Sequence, residues 1–164
     1  MYKFITIDDG EITAGELLYR KAEFSLDYIQ RGMTNIETYS LSINTLQIEV
    51  DFYNKRLLYV WGYFPLLHSE NGRLVLPNYR LGGVRLISDI FPKKGMAYDL
   101  LVDIPWIKCF DIDSGWMYFG SSQYINDQPD VSIKFASDTI ISLVDEMVVA
   151  LWMRPKIVTT TTPA

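Results

Sequence analysis

The clearest hydrophobic pattern in the chain lies between positions 45 and 66. Apolar and polar residues alternate from position 46 to position 52, the period of a strand with one buried face. The polar positions of this strand are Gln47, Glu49 and Asp51. Residues 53–56 are polar and predict a turn, and residues 57–63 are almost continuously apolar, which predicts a strand covered on both faces. We therefore predict a hairpin over 45–63 at the centre of a sheet.

The segment 14–31 carries the signals of a helix. Thr13 and Glu16 match a capping box, in which each side chain bonds the backbone N–H of the other residue. Apolar residues follow at helical spacing, and Gly32 stands where a C-terminal cap belongs. These signals predict one helix over 14–31, packed on the sheet.

Short alternating segments elsewhere predict further strands. These segments are residues 3–8, 36–43, 73–76, 84–88, 98–103, 106–112, 116–119 and 131–135. Residues 139–153 are apolar nearly all round, and we favour a hairpin turning at Asp145-Glu146 over a helix because a surface helix shows a polar face. The predicted fold class is α+β: one domain over 1–158, mainly an antiparallel meander of hairpins with one N-terminal helix, followed by a flexible tail at 159–164.

Composition narrows the classes of function. The net charge is −5 and the pI is about 4.8, with lysine and arginine scattered, which disfavours a nucleic-acid binder and suits a basic protein partner. A single cysteine, Cys109, excludes an internal disulfide and fits a reducing cytoplasm. The N-terminus is polar and the apolar runs fall short of the ~20 residues of a membrane span, so we expect a cytoplasmic protein without a membrane partner.

Catalytic and metal-binding patterns are sparse. His68 is the single histidine, which excludes two-histidine zinc patterns, and no serine lies in a Gly-x-Ser-x-Gly nucleophile elbow. The run 111–115 has glycine at its fifth position, where an EF-hand loop needs an oxygen ligand, and so predicts a turn capped by aspartate. Asp111 with Asp113, or Asp99 with Asp103, leaves open a hydrolase that uses paired aspartates. We expect no cofactor and no bound metal.

Aromatic residues supply the strongest candidate for a binding surface. Tyr59, Trp61 and Tyr63 fall on one face of one predicted strand, and tyrosine and tryptophan often anchor interfaces. This face is either core, a protein-binding surface, or the wall of a β-barrel that holds a small molecule. The candidate binding residues are Glu49, Asp51, Tyr59, Trp61, Tyr63, Asp111, Asp113 and Trp116.

Three aromatic segments add a resemblance to a known class. LLYVWGYFP at 57–65, DIDSGWMYFG at 111–120 and VVALWMRP at 148–155 resemble patterns in sheet-rich bacterial toxin-immunity proteins. The resemblance implies a small, cytoplasmic, non-catalytic protein that binds and blocks a toxin domain. Together with the charge, it leads us to expect a protein-binding module whose partner is basic, such as a nuclease toxin. The oligomeric state is left open.

Overall fold

The computed structural model describes residues 2–32, 35–66, 70–100, 102 and 105–159. It is 54% strand and 3% helical. Within the described residues the strands are β1 Tyr2–Ile7, β2 Gly15–Arg20, β3 Ser25–Gln30, β4 Thr38–Ile43, β5 Leu46–Asp51, β6 Leu57–Tyr63, β7 Glu70–Asn71, β8 Arg80–Leu81, β9 Gly83–Ser88, β10 Ala97–Asp99, β11 Ile107–Phe110, β12 Met117–Gly120, β13 Val131–Ala136, β14 Thr139–Val144, β15 Met147–Met153 and β16 Lys156–Val158. The same described residues contain one 3-10 turn, Ser122–Ile125.

The strands form two seven-stranded sheets and one two-stranded ribbon. The first sheet has the order β10-β4-β5-β6-β3-β2-β16, and the second has the order β7-β11-β12-β15-β14-β13-β8. The ribbon pairs β1 with β9. All internal neighbours are antiparallel, whereas each sheet ends at both edges in a short parallel strand.

One hydrophobic core joins the sheets. It takes Ile48 and Val50 from the first sheet, Leu151 from the second and Phe4 from the ribbon, all at most 1% exposed. A smaller cluster around Trp152 lies on the other face of the second sheet. Its residues alternate along the strands with those that point into the main core. On the outward side of β6, Trp61 and Tyr63 belong to neither cluster and are exposed.

The prediction of an N-terminal helix over 14–31 is wrong, and with it the α+β class, because the chain is nearly all β. The segment forms the hairpin β2–β3, with Phe24 at φ 54° in its turn. Thr13 does not cap a helix: its N–H donates to the carbonyl of Phe135 at 2.9 Å, and its carbonyl accepts from the N–H of Ser137 at 3.1 Å. A distant strand therefore takes the backbone groups that a helix would have used.

The two predicted hairpins are confirmed. β5 and β6 pair over residues 46–62, and β6 is the middle strand of the first sheet. β14 and β15 meet at Asp145 and Glu146, whose φ angles of 51° and 61° give the turn that a tight hairpin requires. The prediction that β6 is covered on both faces is wrong, because Trp61 and Tyr63 are exposed.

Other predictions meet the structure in part. Residues 73–76 do not form a strand, whereas β1, β4, β9, β11, β12 and β13 lie within two residues of their predicted positions. His68, Asp103 and residues 160–164 of the predicted tail lie outside the described residues. In the part of the chain that the structure describes, no helix has the length and apolar character needed to cross a membrane.

Candidate binding surface

The outward side of β6 carries a row of aromatic side chains. Trp61 is 39% exposed and Tyr63 is 50% exposed, while Tyr59 is half-buried. Phe24, from the β2–β3 turn, packs edge-on against Tyr63 with ring centroids 6.4 Å apart. We call these four residues the aromatic face. It lies in the middle of the first sheet, where three of the four residues belong to the central strand.

A local separation of strands opens a cleft beside this face. β3 pairs with β6 only at Ser25 and Leu26, so the strands part before they reach Tyr28. The Tyr28 ring lies against the Tyr59 ring, with centroids 4.9 Å apart and planes 10° from parallel. The resulting cleft has a volume of about 380 Å³. We call it the β3–β6 cleft; it is lined by Asp27, Tyr28, Glu49, Tyr59 and Trp61.

Glu49 is the buried acid of the β3–β6 cleft, with 7% of its surface exposed. Its Oε1 accepts from the Trp61 indole N–H at 2.8 Å and from the Ser40 hydroxyl. Cross-strand register explains these contacts: Ser40 is the direct neighbour of Glu49 on β4, and Trp61, which pairs with Gln47, is its diagonal neighbour on β6. The pKa of Tyr59 is raised, mainly by burial and to a smaller extent by the nearby Glu49. Glu49 thus interacts with two residues of the aromatic face, Tyr59 and Trp61.

The second acid of the cleft, Asp27, is already paired. Its Oδ2 lies 2.5 Å from Nε of Arg20, across the β2–β3 hairpin. Both side chains are about one-third exposed. Asp27 is therefore matched by Arg20, whereas no lysine or arginine of the described residues forms an ion pair with Glu49.

The structure therefore brings Glu49, Tyr59, Trp61 and Tyr63 together, as candidate residues on adjacent strands. Asp51 is separate from them. Its Oδ1 accepts from the backbone N–H groups of Tyr53 at 2.9 Å and Asn54 at 3.2 Å, which caps the β5–β6 turn.

The remaining candidates belong to the second sheet, in the turn between β11 and β12. Asp111 is buried and accepts from three backbone N–H groups, at distances of 2.9–3.2 Å; the donors are Leu74, Asp113 and Ser114. These hydrogen bonds lower the pKa of Asp111, and the bond from Leu74 has the largest effect. Gly115 has φ 82°, so the predicted aspartate-capped turn is confirmed. Asp113 is exposed. The guanidinium carbon of Arg154 lies over the Trp116 ring, 5.4 Å from the ring centroid. Asp111 thus has a structural role that occupies both its oxygens.

A second, more apolar cavity lies elsewhere. It has a volume of about 420 Å³ and lies between β1, the β14–β15 hairpin and Trp106. Tyr2 and Phe4 line it from β1, Met147 lines it from the hairpin, and Tyr124 adds a further wall. Among the described residues, no group of three or more histidine, cysteine, aspartate or glutamate side chains is arranged to hold a metal ion.

Sequence reasoning missed three contributors to the surface: Phe24, Asp27 and Tyr28. The predicted helix placed them on a helical face, although Leu26 and Tyr28 also alternate at period two. That alternation was the available signal. The parting of β3 from β6 depends on long-range pairing and has no signature in the local sequence.

No protein-family model matches this chain. A search of curated proteins finds no significant sequence match. The function is therefore argued from the aromatic face and the β3–β6 cleft.

Proposed function

We propose that this protein is a non-catalytic binding module that uses the aromatic face to bind a basic protein, and that it acts as an immunity protein against a cognate toxin. The observation that carries the proposal is the exposure of Trp61 and Tyr63 on the central strand of a sheet. Tryptophan and tyrosine dominate binding energy in protein interfaces, and a cluster of exposed aromatic side chains costs free energy unless a partner covers it.

Charge supports a basic partner. The chain carries a net charge of −5. Opposite net charges accelerate association by electrostatic steering, which benefits an inhibitor that must capture a toxin quickly. The acid inside the β3–β6 cleft adds local complementarity at the aromatic face itself.

The test begins with the reading frames beside the gene. A neighbour encoding a large secreted protein with a toxic C-terminal domain supplies the binding partner, and that domain is used in a pull-down and by calorimetry. We expect Trp61→Ala and Tyr63→Ala each to weaken binding by about tenfold or more, as hot-spot residues do. Phe91→Ala is the matched control, because Phe91 is 96% exposed and lies outside the aromatic face.

Two results would contradict the proposal. Failure of the unmodified protein to bind or neutralise the toxin domain would remove the pairing. Equal affinities for the Trp61→Ala and Phe91→Ala variants would remove the aromatic face from the interface. Folding of each variant is checked by circular dichroism, so that lost binding is not confused with lost structure.

A second candidate function rests on the apolar cavity beside Trp106. Its volume, about 420 Å³, falls in the range of small-molecule sites. If it binds an apolar ligand, the dye 1-anilinonaphthalene-8-sulfonate should bind saturably to the folded protein. Met147→Trp, which enlarges a half-exposed wall residue, should then reduce dye binding, whereas Trp61→Ala should not. Unsaturable dye binding would reject this candidate.

A further inference from the structure

We propose that the β3–β6 cleft is a receptor for the ammonium group of a lysine side chain on the protein partner. This inference rests on the proposed function and names the chemistry at the centre of the interface.

Glu49 is a buried acid, and its hydrogen-bond partners among the described residues are neutral groups. A buried carboxylate is costly unless hydrogen bonds and an opposite charge compensate it. Ser40 and Trp61 supply two neutral donors. Among the described residues, no lysine or arginine forms an ion pair with Glu49. The opposite charge is therefore the missing element, and an approaching cation would supply it.

The hydrogen bonds that Glu49 already accepts favour an ammonium group over a guanidinium group. Both donors bind Oε1, and no donor from the described residues reaches Oε2. A guanidinium group binds a carboxylate best through two parallel N–H···O bonds, which need both oxygens. An ammonium group is a compact point charge and needs only one oxygen. Glu49 is consequently better suited to lysine than to arginine.

The walls of the cleft favour the same ligand. Trp61, Tyr59 and Tyr28 line it, and aromatic rings attract cations. The four methylene groups of lysine would also cover apolar ring surface. Arg20 does not compete for Glu49, since Asp27 holds its Nε at 2.5 Å.

The experiment uses small probes and the intact protein. Nα-acetyl-lysine-N-methylamide is titrated into nitrogen-15-labelled protein, and the Trp61 indole N–H signal is followed by NMR. Trp61→Phe identifies that signal among the four tryptophans. The norleucine counterpart is the neutral probe, and the arginine counterpart tests the shape of the cation. We expect a saturable shift with a Kd of about 10 mM for the lysine probe, at least threefold weaker binding of the arginine probe, and no saturable shift with norleucine.

Glu49→Gln tests the carboxylate without removing the local structure, because the amide oxygen still accepts from Ser40 and Trp61. It should weaken binding of the lysine probe about fivefold or more. Glu23→Gln is the matched control: it removes the same charge in the exposed β2–β3 turn and should leave the Kd unchanged.

Three results would overturn the inference: no saturable shift up to roughly 0.2 M lysine probe, equal binding to the Glu49→Gln variant, or tighter binding of the arginine probe. These results are separable from the proposed function. A toxin domain that binds through Trp61 while the lysine probe fails leaves the binding module intact and removes only the lysine site. If the lysine probe binds but no protein partner does, the lysine site stands and the proposed function is removed.

Discussion

Replacing Tyr28 with phenylalanine tests how the β3–β6 cleft is held in place. The Tyr28 hydroxyl donates to the carbonyl of Thr13 at 2.7 Å and accepts from the N–H of Ser137 at 3.2 Å. It therefore links the first sheet to the β13–β14 turn of the second. Tyr28→Phe removes this link and keeps the ring that stacks on Tyr59.

The expected loss is small because no buried group is left without a partner. The N–H of Ser137 and the carbonyl of Thr13 also bond each other at 3.1 Å, and that bond remains in the variant. The loss is then the net value of one hydroxyl's hydrogen bonds, about 1 kcal/mol, rather than the larger cost of an unpaired buried group. For a chain of this size, such a loss lowers the Tm by about 2–4 °C.

Urea unfolding followed by tryptophan fluorescence measures the effect, with the m-value as the check on two-state behaviour. Tyr59→Phe is the matched control: it keeps the stacked ring and removes a hydroxyl that bonds none of the described residues, so we expect a change within about 0.5 kcal/mol. Equal losses in the two variants would refute the proposed role of the Tyr28 hydroxyl. A loss above about 3 kcal/mol for Tyr28→Phe would refute the argument that its neighbours stay paired.

Three further predictions concern pH and packing. Burial raises the pKa of Tyr39 to about 12. Its contribution to stability is therefore complete below pH ~10, the unfolded pKa, and is lost as pH rises towards the folded value; Tyr39→Phe should flatten the loss seen by urea unfolding over that window. A hydrogen bond from Arg56 lowers the pKa of Asp9 to about 2. The contribution of Asp9 to stability is present above pH ~4 and is lost as pH falls through the folded pKa. Asp9→Asn should therefore reduce the dependence of the Tm on acid pH. An unchanged dependence would contradict this. A Cβ on Gly15 would lie 2.5 Å from a carbonyl oxygen and from an aromatic ring carbon of β3, so Gly15→Ala should destabilise the fold by about 1–3 kcal/mol in thermal unfolding. Gly72→Ala, which meets nothing within 4 Å, is its control, and equal changes would show that the close approach at Gly15 is relaxed without cost.

Local sequence was sufficient where a structure depends on near neighbours. The β5–β6 hairpin follows from an alternating strand and an apolar run on either side of a polar turn, and the β14–β15 hairpin from two apolar runs that flank Asp145 and Glu146. The 111–115 turn follows from an aspartate that caps the backbone N–H groups two and three residues ahead. In each case the partners of the backbone groups lie within a few residues, so the composition of a short window predicts the outcome.

The segment 14–31 shows the limit of this reasoning. Its apolar residues satisfy the helical period and, at Leu17, Tyr19, Leu26 and Tyr28, the strand period as well. Propensity alone does not choose between them. The choice is made by tertiary pairing, because Thr13 bonds residues 135–137 and the hairpin buries Leu17 and Leu26 in the common core.

For the candidate site, too, some features follow from the sequence and others only from the tertiary structure. Sequence alternation determined by itself that Tyr59, Trp61 and Tyr63 share one side of a strand, since successive side chains of a strand point to opposite faces. It also placed Glu49 on the opposite side of its strand from the buried residues. Only the tertiary structure decided that Glu49 is buried beneath Trp61 and that β3 parts from β6 to open the cleft, because both results depend on which distant strands become neighbours.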